Sequence, residues 1–104
     1  MNTTHHQQDR QNAAFRAVRI TWTQRQRLDV DNAGHTADGY QVAYRVRRGS
    51  ALLRRSSWWW ATVHHAGVLL EEARGESMNQ GRATAAALWQ IRACIAKHRN
   101  PYLF

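Results

Sequence analysis

Alternating apolar and polar residues predict β-strands in the first half of the chain, because successive side chains of a strand point to opposite faces of a sheet. Residues 18–22 alternate in this way, and the same parity returns at Leu28 and Val30. This segment is either one long bent strand or a hairpin arm with a polar bend. The clearest alternation spans residues 40–47. Residues 31–39, rich in Asn, Asp and Gly, predict a turn before it.

A second pair of strands is predicted around a tight turn at Ala66 and Gly67. Residues 57–64, before the turn, are dense in Trp, Val and Thr, which favour strands. Residues 68–73 form the return strand and become less hydrophobic toward its end.

A helix is predicted over residues 78–98, which contain many good helix formers. Ser77 is the expected N-cap, with Gln80 in the capping-box position, and Asn100 and Pro101 end the helix. Its apolar face is expected to contain Thr84, Leu88, Ile91 and Ile95.

The order of strands followed by one helix predicts an α+β fold. We expect an antiparallel sheet of three to five strands with one long C-terminal helix packed on one face. The polar residues 1–13 predict a flexible N-terminal arm, and residues 14–104 a single α+β domain. The other face of the sheet is then exposed to solvent or used for binding.

The charge of the chain is strongly positive, since 15 Lys and Arg oppose 7 Asp and Glu, for a formal charge of +8. Such a surplus attracts polyanions. Lys97 is the only lysine. Arg binds phosphate through two parallel hydrogen bonds, although a GC-rich genome explains the same bias toward Arg without any function.

Cys94 has no second cysteine to pair with, which indicates a reducing cytoplasm. No apolar run approaches the length of about 20 residues that crosses a bilayer, so no membrane partner is expected.

Motifs for catalysis and cofactor binding are absent from the sequence: there is no phosphate-binding glycine loop, nucleophile elbow or paired-Cys zinc pattern. We therefore expect a non-enzymatic protein with no catalytic residue and no cofactor. His64 and His65 are neighbours on a strand and face opposite sides. A metal site that joins one of them to His98 would lack a nearby Cys pair or carboxylate cluster, so no metal site is predicted.

The run Trp58-Trp59-Trp60 is the most distinctive feature of the sequence. On a strand, Trp58 and Trp60 share one face and Trp59 points to the other. The Ala-rich helix leaves room for large rings beneath it, which favours Trp58 and Trp60 in the core and Trp59 outside. The reverse assignment, and burial of all three rings, remain open alternatives.

Five arginines are predicted on the sheet face that also exposes Trp59, because their parity is opposite to that of the apolar residues. They are Arg19, Arg25, Arg27, Arg45 and Arg47. Rings and guanidinium groups together suit nucleic acid or a nucleoprotein complex, and they equally suit a protein partner. The plain alternative is a solvated basic face.

Trp89 lies on the predicted helix about a quarter turn or more from the Leu88 face. It belongs either to the edge of a wide buried face or to a dimer contact. The protein is accordingly expected to be a monomer or a homodimer.

Residues 58–95 resemble part of a double-stranded RNA-binding domain, which also runs strand, tight turn, strand and Ala-rich helix. That family contacts RNA phosphates through a lysine cluster at the start of this helix. The corresponding residues 78–82 contain one basic side chain, Arg82. The first half of the chain is predicted as strands where that family has a helix.

The order of elements is also similar to that of small phage and mobile-element proteins, including several anti-CRISPR proteins. These have a short single domain, a bent antiparallel sheet, one Ala-rich helix and no active site. The similarity implies an inhibitor that occludes a site on a host nucleoprotein or protein complex. Many such inhibitors are acidic DNA mimics, and the charge of +8 argues against that mode here.

Overall fold

The computed structural model of the protein describes residues 3–24, 31–49 and 56–104. The elements are α1 (Thr3–Arg16), β1 (Thr21–Gln24), β2 (Asp31–His35), β3 (Tyr40–Arg47), β4 (Ser57–His65), β5 (Val68–Ser77), α2 (Gln80–Arg99) and a 3-10 turn (Pro101–Leu103). The strands form one five-stranded sheet in chain order, and every neighbouring pair is antiparallel. The predicted α+β fold, with a long C-terminal helix on an antiparallel sheet, is confirmed.

The helix α2 covers one face of the sheet and closes the core. The alternation predicted for β3 is confirmed, since Tyr40, Val42, Tyr44 and Val46 are buried. The other buried apolar residues of this core are Val18, Trp59, Ala61, Val63, Ala83, Ala87, Ile91, Ile95 and Ala96. The small Ala side chains of α2 leave room for the large rings of the sheet. Ile91 and Ile95, from the predicted helix face, are fully buried, and such burial contributes about 1.5–3 kcal/mol per side chain.

β2 occupies residues that the sequence pattern assigned to a turn, so that prediction was wrong. Asp31–His35 contains no β-branched residue, and its own preference for a strand is weak. It forms a strand because it pairs with β1 on one side and β3 on the other. A β-carbon at Gly34 would lie 2.6 Å from the Thr21 carbonyl oxygen, so glycine permits the approach of β1. The turn itself is confined to residues 36–39.

The junction between β5 and α2 also differs from the prediction. β5 continues beyond residue 73 to Ser77, which pairs with Ser57 and is not the helix cap. Asn79 caps the helix, and its side-chain oxygen accepts a hydrogen bond of 2.9 Å from the Arg82 N–H. The predicted end of the helix is confirmed, since α2 stops at Asn100. The predicted tight turn at residues 66–67 is confirmed as well.

The N-terminal segment is a helix where the sequence predicted a flexible arm over residues 1–13. α1 crosses that predicted boundary and packs against α2 and the 3-10 turn. Gln7 and Gln11 donate hydrogen bonds of 3.3 and 2.5 Å to the Leu103 carbonyl oxygen. The Phe15 and Trp89 rings lie 5.8 Å apart between their centres. These tertiary contacts hold a segment whose own sequence has little to bury.

The C-terminal end of α2 is tied to the turn between β2 and β3. Arg99 forms an ion pair of 2.5 Å with Asp38. Hydrogen bonds from Arg99, and then from Thr36, lower the pKa of Asp38 to about 2. The Tyr40 hydroxyl and the Nδ1 atom of His98 share a hydrogen bond of 2.5 Å. These contacts fix the register of the helix over the sheet.

Candidate binding site on the open sheet face

The three neighbouring tryptophans of β4 lie on opposite faces of the sheet. Trp59 pairs with Val46, faces α2 and is 9% exposed. Trp58 and Trp60 therefore point to the other face, and Trp58 is 44% exposed. The preferred prediction of Trp59 as a surface residue was wrong, and the reverse assignment is the one observed.

Gly75 gives the physical reason for this arrangement. It pairs with Trp59 across the strands, and a β-carbon at this position would lie 2.6 Å from the Trp59 Nε1 atom. The absence of that side chain provides the space that the indole ring fills. Gly75 is present in the sequence, but its role in making room for Trp59 can be inferred only when the β4–β5 register is known.

The face of the sheet opposite α2 is here called the open face. Cross-strand pairing and alternation place on it Asp31, Ala33, His35, Gln41, Ala43, Arg45, Arg47, Trp58, Trp60, Thr62, His64, Glu72, Arg74 and Glu76. α1 packs on α2 and the 3-10 turn, and α2 packs on the covered face. Within the described ranges, no helix covers the open face.

Arg45 lies at the centre of the open face and makes two different contacts. Its guanidinium carbon is 5.7 Å from the centre of the Trp60 ring, within the range of a cation–π contact. Its Nε atom is 2.9 Å from a carboxylate oxygen of Asp31. Arg47 also donates hydrogen bonds to Asp31, and these lower the pKa of that carboxyl. One carboxylate of β2 thus serves two arginines of β3.

A second ion pair lies on the other side of Trp60. Arg74 and Glu72 on β5 are 2.9 Å apart. The hydrogen bond from Arg74, followed by one from the Trp60 indole, lowers the pKa of Glu72. The Trp60 ring therefore lies between two arginine–carboxylate pairs.

The predicted cluster of five arginines is only partly within the described residues. Arg45 and Arg47 share the open face, as their parity predicted. Arg19 is exposed and precedes β1. Arg25 and Arg27 lie outside the described residues. Arg74 also lies on the open face, although the strand was predicted to end at residue 73. The pairing of Arg45 and Arg47 with Asp31 could not be predicted, because it depends on the unexpected strand β2.

The described open face carries acidic as well as basic side chains. Arg45, Arg47 and Arg74 accompany three carboxylates on it. Those carboxylates are Asp31, Glu72 and Glu76. The described face is therefore aromatic but carries both signs of charge, whereas a basic, aromatic face was expected.

A small, open hollow lies beside Trp60 on the open face. The hollow bounded by Asp31, Arg45 and Trp60 has a volume of about 180 Å³. Small-molecule sites are commonly about 300–1,000 Å³, so this hollow is smaller than such a site. An extended partner that lies along the sheet surface suits this hollow better than a small molecule does.

The described His, Cys, Asp and Glu side chains form no group that could hold a metal ion. His65 and His98 come within 5.4 Å between ring centres, but no group of three His, Cys, Asp or Glu could hold a metal ion there. Burial raises the pKa of the Cys94 thiol to about 12. This group is thus a neutral thiol at physiological pH and a poor nucleophile.

Trp89 is not part of the core, since it is 57% exposed on α2. It lies on the side of the molecule away from the open face, next to Phe15 of α1. Its predicted role as a dimer contact stays a prediction.

Among the described residues, no helix is both long enough and apolar enough to span a membrane.

Comparisons of the chain with protein-family models, with curated protein sequences and with solved structures find no match.

Proposed function

We propose that this is a non-enzymatic binding protein and that its open face engages single-stranded nucleic acid. The observation that carries this proposal is the pair Trp58 and Trp60, which lie on one strand of the open face with Arg45 against the second ring. Indole rings stack on bases of any identity, and each such contact contributes about 1–3 kcal/mol. Guanidinium groups beside them contact phosphates.

The two indole rings favour a single strand over a duplex. Ring faces stack only on bases that are not already stacked within a helix. Trp58 and Trp60 are two residues apart on β4, which separates their α-carbons by about 6.6 Å. Two successive bases of an extended strand can therefore each contact one ring.

The existing ion pairs on the open face are compatible with phosphate binding. Exposed ion pairs contribute about 0–1 kcal/mol, so exchanging Asp31 for a phosphate as the partner of Arg45 costs little. The formal charge of +8 attracts the strand at long range. Affinity should therefore fall steeply as salt rises from about 50 to about 200 mM.

The test is fluorescence anisotropy with labelled single-stranded DNA and RNA of about 12 nucleotides, within the site sizes known for such surfaces. Trp58→Ala and Trp60→Ala should each weaken binding about tenfold, from the loss of one stacked base. Trp89→Ala, which removes an exposed Trp from the opposite side, is the matched control and should leave affinity unchanged. No binding at micromolar protein and low salt would refute the proposal.

A protein target is the second candidate, in the manner of an anti-CRISPR-type inhibitor or an adaptor on a host protein complex. The mixed charge of the open face favours it, because Asp31, Glu72 and Glu76 repel phosphates. Trp and Arg are also the usual anchors of protein interfaces. A partner retained in a pull-down after nuclease treatment, and lost with Trp58→Ala, would support this candidate over the first. Both proposals assign the protein to the cytoplasm, where the single Cys94 stays reduced.

A further inference from the structure

A groove separates α1 from α2 on the side of the molecule away from the open face. Its volume is about 500 Å³, within the range of about 300–1,000 Å³ typical of small-molecule sites. The nine lining residues are Gln8, Gln11, Asn12, Phe15, Arg16, Trp89, Ala93, Lys97 and Phe104. This α1–α2 groove shares no residue with the open face, so what it binds is independent of the function proposed above.

The floor of the groove is aromatic and partly exposed. Trp89 and Phe15 lie 5.8 Å apart between ring centres, with their planes at 36°. Trp89 is nearly opposite Ile91 around α2, because two helical positions differ by about 200°. It therefore cannot contribute to the core, and more than half of its surface faces the groove or solvent. An apolar ligand resting on these rings would remove that surface from water.

The charged side chains that line the groove are both positive. Arg16 comes from the end of α1 and Lys97 from the last turn of α2. No Asp or Glu side chain is among the nine lining residues. Amide side chains from α1 supply the remaining polar contacts, although Gln11 already donates to the Leu103 carbonyl. The electrostatics of this groove are therefore unlike those of the open face, where arginines have carboxylate partners.

We propose that the α1–α2 groove binds an amphiphilic anion, with a flat aromatic or acyl body on Phe15 and Trp89. The acidic head group, a carboxylate or sulfonate, pairs with Arg16 and Lys97. Charge-assisted hydrogen bonds of this kind are stronger than neutral ones and fix the orientation of the ligand.

A small anion fits the groove better than a second copy of the chain. In a twofold contact the same patch faces itself, which would bring two copies of Arg16 and Lys97 together. Stable dimers also bury about 800 Å² on each partner, far more than the exposed rings of Trp89 and Phe104 supply. The dimer at Trp89 is thus the competing outcome of the test.

The experiment is calorimetric titration of the full chain at neutral pH with two twelve-carbon-chain probes of opposite charge, dodecanoate and dodecyltrimethylammonium. We expect dodecanoate to bind at micromolar concentration and the cationic probe at least about tenfold more weakly, because its head group meets two like charges. Lys97→Glu should weaken dodecanoate binding about tenfold or more. Arg82→Glu makes the same charge change on α2 outside the groove and should leave binding unchanged.

Trp89→Ala is the second variant, and it should weaken both probes by removing the floor. The proposal is overturned if the two probes bind equally to the native chain. It is also overturned if Trp89→Ala leaves dodecanoate binding unchanged, or if light scattering shows a native dimer that Trp89→Ala converts to a monomer. Failure of these tests would leave nucleic-acid binding by the open face untouched, because the two surfaces share no residue.

Discussion

The two faces of the sheet contain different tryptophans of the same short run, and these have different roles. On the covered face, Trp59 fills the space beside Gly75 under α2. On the open face, the exposed Trp58 and the half-buried Trp60 lie among ion pairs of arginine and carboxylate. One strand thus supplies both the core and the candidate binding surface. The neighbouring strand β5, through Gly75, thus decides which tryptophan is structural.

The largest expected effect is a difference in stability between variants of the covered face and variants of the open face. Trp59→Ala should lower the free energy of unfolding by about 3–5 kcal/mol, because it leaves a cavity under α2. Trp58→Ala, one residue away, should lower it by less than about 1 kcal/mol, since its ring is already partly in water. Chemical denaturation followed by circular dichroism measures both. Equal losses of stability in the two variants would contradict the assignment of Trp59 to the core and Trp58 to the surface.

Gly75→Ala tests the same distinction from the neighbouring strand. The added β-carbon would lie 2.6 Å from the Trp59 Nε1 atom. Overpacking of this kind costs about 1–3 kcal/mol of stability. In the double variant with Trp59→Ala, most of that loss should disappear, because the clash is gone. Additive losses in this double-mutant cycle would show that Gly75 has another role.

Asp31→Asn tests the charge pairing on the open face. The substitution removes the carboxylate shared by Arg45 and Arg47, so both arginines become available to phosphate. Affinity for single-stranded nucleic acid should rise about three- to tenfold at low salt, with a steeper salt dependence. Anisotropy titrations at several salt concentrations measure this. A loss of affinity would mean that Asp31 orients the arginines for binding.

The ion pair between Arg99 and Asp38 makes the anchoring of the helix pH-dependent. The pKa of Asp38 is about 2 in the folded chain, below its ordinary 3.8. Ionised Asp38 therefore stabilises the fold at neutral pH, and this contribution is lost as the pH falls from about 4 to about 2. Because the carboxylate is half exposed, screening limits the contribution to about 1 kcal/mol or less.

Asp38→Asn is the variant that isolates this ion pair. It should be less stable than the native chain at pH 7 and no less stable at pH 2, as measured by urea denaturation. A stability difference that persists unchanged at pH 2 would assign the effect to the turn and not to the charge.

The smallest expected effect is at the β4–β5 turn, which both faces share. Ala66 has a φ of 52°, a left-handed conformation that costs most residues about 1 kcal/mol. Ala66→Asn should raise the free energy of unfolding by about 0.5 kcal/mol, since Asn tolerates this conformation. Its nucleic-acid affinity should equal that of the native chain. A change in affinity would extend the binding surface to the turn.

The sequence correctly predicts the elements whose own residues show the alternation of a strand or the composition of a helix. Apolar and polar residues alternate in β3 because one of its faces is buried and the other faces solvent. α2 contains many helix-forming residues and ends clearly before Asn100. The sequence misses β2, whose strand conformation comes from its neighbours, and α1, which is stabilised by contacts with Leu103 and Trp89.

The candidate site is predictable only to the level of strand parity. Parity places Arg45 and Arg47 on one face and separates Trp59 from the tryptophans beside it. It does not indicate which face the helix covers. That choice depends on Gly75 and on the pairing of β4 with β5, which are contacts between residues distant in sequence.

The most direct test of the open face as the binding surface follows the indole N–H signals of the five tryptophans by NMR during titration with a single-stranded oligonucleotide. Single Trp→Phe variants assign the signals. The signals of Trp58 and Trp60 should shift most, while those of Trp59 and Trp89 should move little. Shifts largest at Trp89, or no shifts at a saturating oligonucleotide concentration, would contradict the account.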